Sequence, residues 1–160
     1  MEKISNKRGY TLLNFSLMES EDQINPEIHK PLDASLVVAI NNDRVLLVFD
    51  RYKQCWETPG GRIETGEKPR VCAGRELMEE SGQSVDNLVF IGLVEICLKD
   101  DNRIFAAVYA GWLGGILPFQ SNNEIEKTVL WDYVTDIGYV DEIDNYIACV
   151  GKQVLQKLLR

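Results

Sequence analysis

The chain predicts an α/β/α sandwich built on one mixed β-sheet. Three observations carry that expectation: aliphatic, β-branched runs that come in pairs around turn residues, a helical stretch framed by Pro69 and Gly82, and a second helical stretch at the C-terminus. A half-buried sheet must cover its apolar faces, and two helices at these places in the order can cover both.

The elements follow in sequence. Residues 10–18 read as an N-terminal edge strand, followed by the acidic turn Glu19-Ser20-Glu21-Asp22 and a loop with Pro26 and Pro31. Residues 34–40 and 44–50 flank Asn41-Asn42-Asp43, residue types that tolerate the positive φ of a tight turn, and are expected to form a hairpin. After Trp56, the cluster Pro59-Gly60-Gly61 imposes a loop. From Pro69, a favoured first-turn residue, to Gly82, a favoured stop, good helix formers predict about three turns of helix. Residues 88–98 and 103–113 flank Lys99-Asp100-Asp101-Asn102 as a second hairpin, 128–134 give another strand and 140–159 a C-terminal helix. No internal repeat or low-complexity tract is present, and residues 1–160 are expected to fold as a single domain.

Composition narrows the function. With 45% hydrophobic residues in 160, the chain can bury one ordinary core, and the apolar runs are far too short to cross a bilayer. The N-terminus reaches Lys7-Arg8 without the apolar stretch of a secretory leader, which predicts a cytoplasmic protein. Cys55, Cys72, Cys97 and Cys149 form no Cys-x-x-Cys pair and are expected to be free thiols. A net charge of −8 opposes binding to a nucleic acid polymer, because that mode depends on Lys and Arg. It also opposes a bare anionic substrate, so a cation is needed as mediator.

On the central helix, Glu76, Glu79 and Glu80 stand at i, i+3 and i+4 and therefore share a face about 100° wide. At about 5 Å and an effective dielectric near 20, each like-charge pair costs roughly 3 kcal/mol, less where the side chains splay into water. Such a face is poor for stability alone. A hard divalent cation, Mg²⁺ or Mn²⁺, reverses the sign of that cost and leaves positions for phosphate oxygens and water.

Residues 61–83 read GRIETGEKPRVCAGRELMEESGQ. This resembles the box of the Nudix hydrolases, the MutT-like nucleotide pyrophosphohydrolases: Gly, five residues, Glu, seven residues, then Arg-Glu-aliphatic-x-Glu-Glu-x-Gly. Gly61, Glu67, Arg75, Glu76, Leu77, Glu79, Glu80 and Gly82 all match. A chance match of this length is on the order of one in a million at average residue usage. Trp56-Glu57-Thr58-Pro59-Gly60-Gly61 is similar to the family's loop before the box, so the resemblance covers about a third of the chain, residues 34–83. Two positions depart from it: Gln83 stands where an aliphatic residue is usual, and Gly74 where a larger apolar one is frequent.

The resemblance implies the Nudix α/β/α fold and a Mg²⁺- or Mn²⁺-dependent hydrolase of phosphoanhydrides. Glu79 and Glu80 would be principal metal ligands, Glu76 a ligand or the carboxylate that deprotonates water, and the Gly60 carbonyl a further ligand. Glu67 and Arg75 would pair to brace the loop–helix–loop, with Gly61 and Gly82 structural. Glu124, just before a strand in the C-terminal half, is a further candidate ligand or base.

Other residues are weaker candidates. Arg51, Lys53 and Arg62 flank the expected cleft and suit substrate phosphates, Arg62 best of the three. Trp56 or Trp112 suits stacking on a base, although large aromatics more often serve the core. Cys72 shares the glutamate face but reads as packing, and His29 lacks a second histidine for a metal pair.

The expected substrate is a nucleoside diphosphate linked to another group: a nucleoside triphosphate, or an oxidised one such as 8-oxo-dGTP, giving a nucleoside monophosphate and pyrophosphate. ADP-ribose, nucleotide sugars and dinucleoside polyphosphates are the alternatives. The proline that ADP-ribose-hydrolysing relatives often carry beyond the box is replaced by Leu98, which lowers that branch. A non-catalytic nucleotide-binding or regulatory module is opposed by the intact glutamates, and an isomerase by the want of a histidine- and cysteine-based site. A homodimer is left open.

Overall fold

A computed structural model describes residues 1–158 of the 160-residue chain. The described elements run β1 (Ile4–Ser5), β2 (Thr11–Leu17), β3 (Leu32–Asn41), β4 (Arg44–Asp50), β5 (Cys55–Glu57), β6 (Gly60–Arg62), α1 (Pro69–Ser81), β7 (Val89–Cys97), β8 (Arg103–Trp112), β9 (Ile125–Trp131) and α2 (Glu142–Lys157). The sheet is ordered β1-β2-β7-β8-β3-β4-β5, with β6 on β3 and β9 on β4. β3 and β8 run parallel, from Leu32 opposite Phe105 to Ile40 opposite Trp112, and the other described strand pairs are antiparallel.

Period-two alternation along the central strands divides the core into two layers. Val38 and Ile40 of β3 with Ala106, Val108 and Ala110 of β8 face α2, where Ile143, Ile147, Ala148 and Leu155 close the layer. Val37, Ala39, Ala107 and Tyr109 face the other way and meet Ala73 and Leu77 of α1. The sheet is therefore covered on both faces, the α/β/α sandwich expected from the sequence.

Helix α1 starts at Pro69 and stops at Gly82, whose φ of 72° is left-handed and whose N–H reaches the Met78 carbonyl at 2.8 Å. Helix α2 begins at Glu142 rather than Val140, because the Asp141 carboxylate accepts the amides of Ile143 and Asp144. Its expected end, Leu159, lies outside the described residues. Gly151 lets α2 approach β3: a Cβ there would stand 2.7 Å from Val38 Cγ2.

Of the two expected hairpins, one forms along its length and the other only near its turn. Residues 103–112 and 89–97 form one as expected. The first hairpin turns at Asn42 with φ 55° but pairs at Ile40–Val45 and Asn41–Arg44, after which the strands part. β3 then takes β6 at Ala34–Leu36, and β4 takes β9. The expected loop at Pro59-Gly60-Gly61 is thus partly strand, and a missing side chain permits it: a Cβ on Gly60 would run into the Ser35 carbonyl oxygen. β9 starts at Ile125, three residues before the expected 128, and ends at Trp131, shortly before Tyr133 with its φ of 67°. β1, β5 and β6, at two or three residues each, are too short for a period to show in sequence.

Candidate active site

Helix α1 buries Ala73, Leu77 and Glu80, spaced i, i+4 and i+7, so a carboxylate occupies the apolar stripe. Glu80 is 3% exposed, and its Oε1 accepts the Gly60 N–H at 2.8 Å. Burial pushes its pKa up to about 9; the Gly60 amide opposes that shift, while the charges of Glu124, Glu57 and Glu76 add to it.

Glu76 turns its carboxyl onto the bare α-carbon of Gly61. Burial raises its pKa against the hydrogen bond from Arg75, with Glu79 and Glu124 adding repulsion. Glu79 is the outermost of the three, its side chain 57% exposed and 3.2 Å from Arg75 Nη1.

Arg75 organises this face. Its Nε and Nη2 donate to Glu67 Oε2 and Oε1 at 2.7 and 2.9 Å, the fork-to-fork geometry that suits guanidinium and carboxylate. Nη1 reaches Glu76 Oε1 at 2.9 Å, and Nη2 reaches the Arg62 carbonyl at 3.1 Å. The pairing expected of Glu67 and Arg75 is formed, and the Arg75 hydrogen bonds hold Glu67 down at about 2.

Among the described residues, no three acidic, cysteine or histidine side chains converge on one point. The Gly60 amide draws Glu80 inward, and Arg75 draws Glu76 and Glu79 aside, so the glutamates share a helix face without meeting. The donor set nevertheless fits a hard divalent cation: Glu76, Glu79 and Glu80 offer carboxylate oxygens from one helix face, where burial first and neighbouring carboxylate charge second raise the proton affinity of Glu76 and Glu80.

Glu124 comes near the same face from the loop before β9, close enough for its charge to disfavour those of Glu76 and Glu80. It lies exposed just before β9, at the end of residues 114–124. The Arg51 N–H donates to its carbonyl at 2.8 Å, Arg51 Nε donates to the Asn122 carbonyl at 2.8 Å, and Asn122 Nδ2 donates to the Glu79 carbonyl at 3.3 Å. Gln83, 3% exposed, pairs its side-chain amide with the Leu117 backbone in the same segment.

Gly60 and Gly61 also line a cleft of about 530 Å³ between the sheet and the start of α2. Its apolar wall includes Leu36, Ile104, Ala106, Ile143 and Ile147. Its polar wall holds Lys53 and Glu57, joined at 3.2 Å, with Thr58 donating to Asp144. Burial pushes Glu57 up to about 7 in spite of Lys53. Burial also carries Asp144 well above the usual carboxylate range, helped by the charges of Glu57 and Asp141.

The N-terminal segment completes the cleft. Asn6 Nδ2 donates to Asp141 Oδ2 at 2.9 Å, and the Arg8 guanidinium stands 4.4 Å over the Tyr10 ring. Burial disfavours the Arg8 charge, but Tyr10, Glu57 and Asp141 outweigh it and raise its pKa. None of Asn6, Arg8, Tyr10, Glu57 and Asp144 stands among the site residues expected from sequence. Only Glu57, inside the Trp-Glu-Thr-Pro-Gly-Gly run, carried a local signal.

The other expected residues divide. Arg62 lines the cleft, 85% exposed and 3.5 Å from Asp33. Arg51 is tied to the 122–124 backbone instead of facing the cleft. Trp56 is 4% exposed in the α2-side core, where its Nε1 donates to the Ile137 carbonyl at 2.7 Å and its ring meets Phe49 edge-on, so the structure does not bring it to a substrate. Cys72 is fully buried against the Gly61 and Arg62 carbonyls, and His29 Nδ1 accepts the Asn25 amide.

A two-faced sandwich, a glycine-led loop feeding a helix with three glutamates, and an adjoining cleft define the Nudix class of hydrolases. A family model described as NUDIX domain matches residues 30–147, and the chain belongs to that family. It is 35% identical over 103 residues to the uncharacterized Nudix hydrolase YvcI of Bacillus subtilis, covering 60% of this chain and 62% of that one. It is 39% identical over 64 residues to an oxidized purine nucleoside triphosphate hydrolase of Danio rerio, covering 38% and 41%. The match thus spans only about two fifths to three fifths of these curated relatives' length. The crystal structure of a point mutant of the Bacillus subtilis pyrophosphohydrolase BsRppH superposes with a TM-score of 0.72 over 98% of both chains at 18% identity, a likeness of fold.

Proposed function

We propose that the chain hydrolyses a phosphoanhydride in a nucleoside diphosphate linked to another group, most readily a nucleoside triphosphate or an oxidised one such as 8-oxo-dGTP. The products are a nucleoside monophosphate and pyrophosphate. One observation carries this reading: Gly60 and Gly61 line the cleft, while the Gly60 amide holds the Glu80 carboxylate and the Glu76 carboxyl lies against the Gly61 α-carbon. A phosphate chain leaving the cleft therefore meets the acidic face directly. The oxidized purine nucleoside triphosphate hydrolase of Danio rerio supports the choice of substrate.

Glu76, Glu79, Glu80 and the Gly60 carbonyl would hold Mg²⁺ or Mn²⁺, which when bound neutralises phosphate charge and makes water more acidic. Glu124 would accept the proton of the attacking water from the loop before β9. Arg62, Lys53 and Arg8 would orient the phosphates, while the apolar wall takes the nucleoside. Among the described residues no helix is long and apolar enough to cross a membrane. The proposed substrate is a small nucleotide, and the cytoplasm is where the enzyme would meet it. Intact Glu76, Glu79 and Glu80 weigh against a binding module without turnover.

The test is pyrophosphate and phosphate release from nucleoside triphosphates, 8-oxo-dGTP, ADP-ribose, nucleotide sugars and dinucleoside polyphosphates, with Mg²⁺ and with a chelator. Mg²⁺-dependent pyrophosphate release from the triphosphates is expected. Turnover confined to ADP-ribose or nucleotide sugars would replace the substrate, and nucleotide binding without turnover would replace the enzyme.

A further inference from the structure

Residues 114–124 join β8 to β9 without secondary structure of their own, and residues 114–118 are exposed. Leu117 is held there by its backbone, since its side chain faces solvent at 58% exposure. Gln83 supplies the hold. Its Nε2 donates to the Leu117 carbonyl at 2.7 Å, and its Oε1 accepts the Leu117 N–H at 3.0 Å, the two bonds a neighbouring strand would make. The second Nε2 proton points to the Ser81 carbonyl at 3.5 Å.

At 3% exposure a polar amide is costly unless every group is paired, and an aliphatic residue would fill the position without that cost. What glutamine adds is recognition of one backbone unit. Leu117 lies seven residues before Glu124, and the far end of the segment is tied to α1 through Asn122 and the Glu79 carbonyl. The segment is thus tied twice, at Leu117 through Gln83 just past the end of the glutamate helix and at Asn122 to the helix itself.

We propose that Gln83 is a positioning residue: by pairing with the Leu117 backbone it fixes residues 114–124 so that Glu124 faces Glu76 and Glu80. This rests on the reading of Glu124 as the base. Without the clamp, the exposed segment samples other conformations and Glu124 is presented only part of the time.

The experiment compares the full chain with Q83L, E124Q and Q83L/E124Q. It reads kcat and KM with the best triphosphate of the panel, the melting temperature, and hydrogen exchange at the Leu117 amide. Q83L is expected to keep its fold and its KM within about threefold while kcat falls roughly tenfold, the scale of a misplaced catalytic group. The double variant should be no slower than E124Q, because a base that is gone cannot be misplaced. The Leu117 amide should exchange faster in Q83L. A parental kcat in Q83L, losses that multiply in the double variant, or unchanged exchange at Leu117 would each overturn the proposal. If Q83L folds poorly, Q83M conserves the chain length and carries the same expectations. A parent chain that hydrolyses nothing overturns the role of Glu124, and Leu117 exchange then still decides whether the clamp exists.

Discussion

The α-carbon of Gly61 lies against the carboxyl group of Glu76, where a methyl would stand 2.5 Å from both Cδ and Oε1. The obstacle is the end of a flexible side chain, so Gly61→Ala displaces Glu76 rather than the backbone. The expected result is a kcat lowered roughly a hundredfold or more, with a melting temperature within a few degrees of the parent. Unchanged turnover would show that the placement of Glu76 is not needed for the reaction.

Glu67 and Arg75 make the chain's stability sensitive to acid. The folded state holds Glu67 at about 2 against an ordinary 4.5, so the pairing is fully present above pH 4.5. It is lost as the pH falls through that window toward 2, because the unfolded chain takes up the proton first. Glu67→Gln should therefore lower the melting temperature at pH 7 and converge on the parent near pH 2. Parallel melting curves across that range would contradict the pairing.

Much of this site was legible because its signals are local. Pro69 and Gly82 frame α1 by backbone preference, and the Glu76, Glu79, Glu80 spacing places them on one face whatever the tertiary structure. The direction of each side chain was not legible, since it depends on the Gly60 amide and the Arg75 fork, which only the folded loop brings near. The parallel pairing of β3 with β8 joins residues about seventy apart, and the Asn6–Asp141 bond spans 135 positions; neither leaves a periodic trace. Trp56 looked suited to a base for its chemistry, yet nothing nearby in sequence reveals that Phe49 and the Ile137 carbonyl enclose it. Gln83, a departure from the family pattern, proved informative because an unusual polar residue at a buried position needs a partner.

Glu80→Gln separates the fold from the cation. Glutamine keeps an Oε1 that can accept the Gly60 amide, so the loop–helix contact survives, while the carboxyl that a bound cation would draw into its charged form is gone from the proposed ligand set. With Mg²⁺ at ten times its Kd, the parent should gain about 1.4 kcal/mol, roughly 3 to 6 °C for a domain of this size. The variant should melt near the metal-free parent, gain little from Mg²⁺ and lose turnover by orders of magnitude. An equal Mg²⁺-induced shift in both proteins would remove Glu80 from the ligand set.

Arg8 tests whether the N-terminal segment belongs to the working site, since it lies outside the residues 30–147 matched by the family model. Its guanidinium sits over Tyr10, lines the cleft and is close enough to Glu57 and Asp141 for their charges to favour its own. A bound polyphosphate would take over that role of neutralising partner, whereas a merely structural arginine would serve the cleft wall equally with or without substrate. Arg8→Ala should then raise KM roughly tenfold, the scale of one lost hydrogen bond to a charged group, with kcat reduced much less. Tyr10→Ala should raise KM in the same direction by removing the ring that holds the guanidinium in place. If both variants show the parent's KM while their melting temperatures fall, the segment closes the core beside the cleft and takes no part in binding.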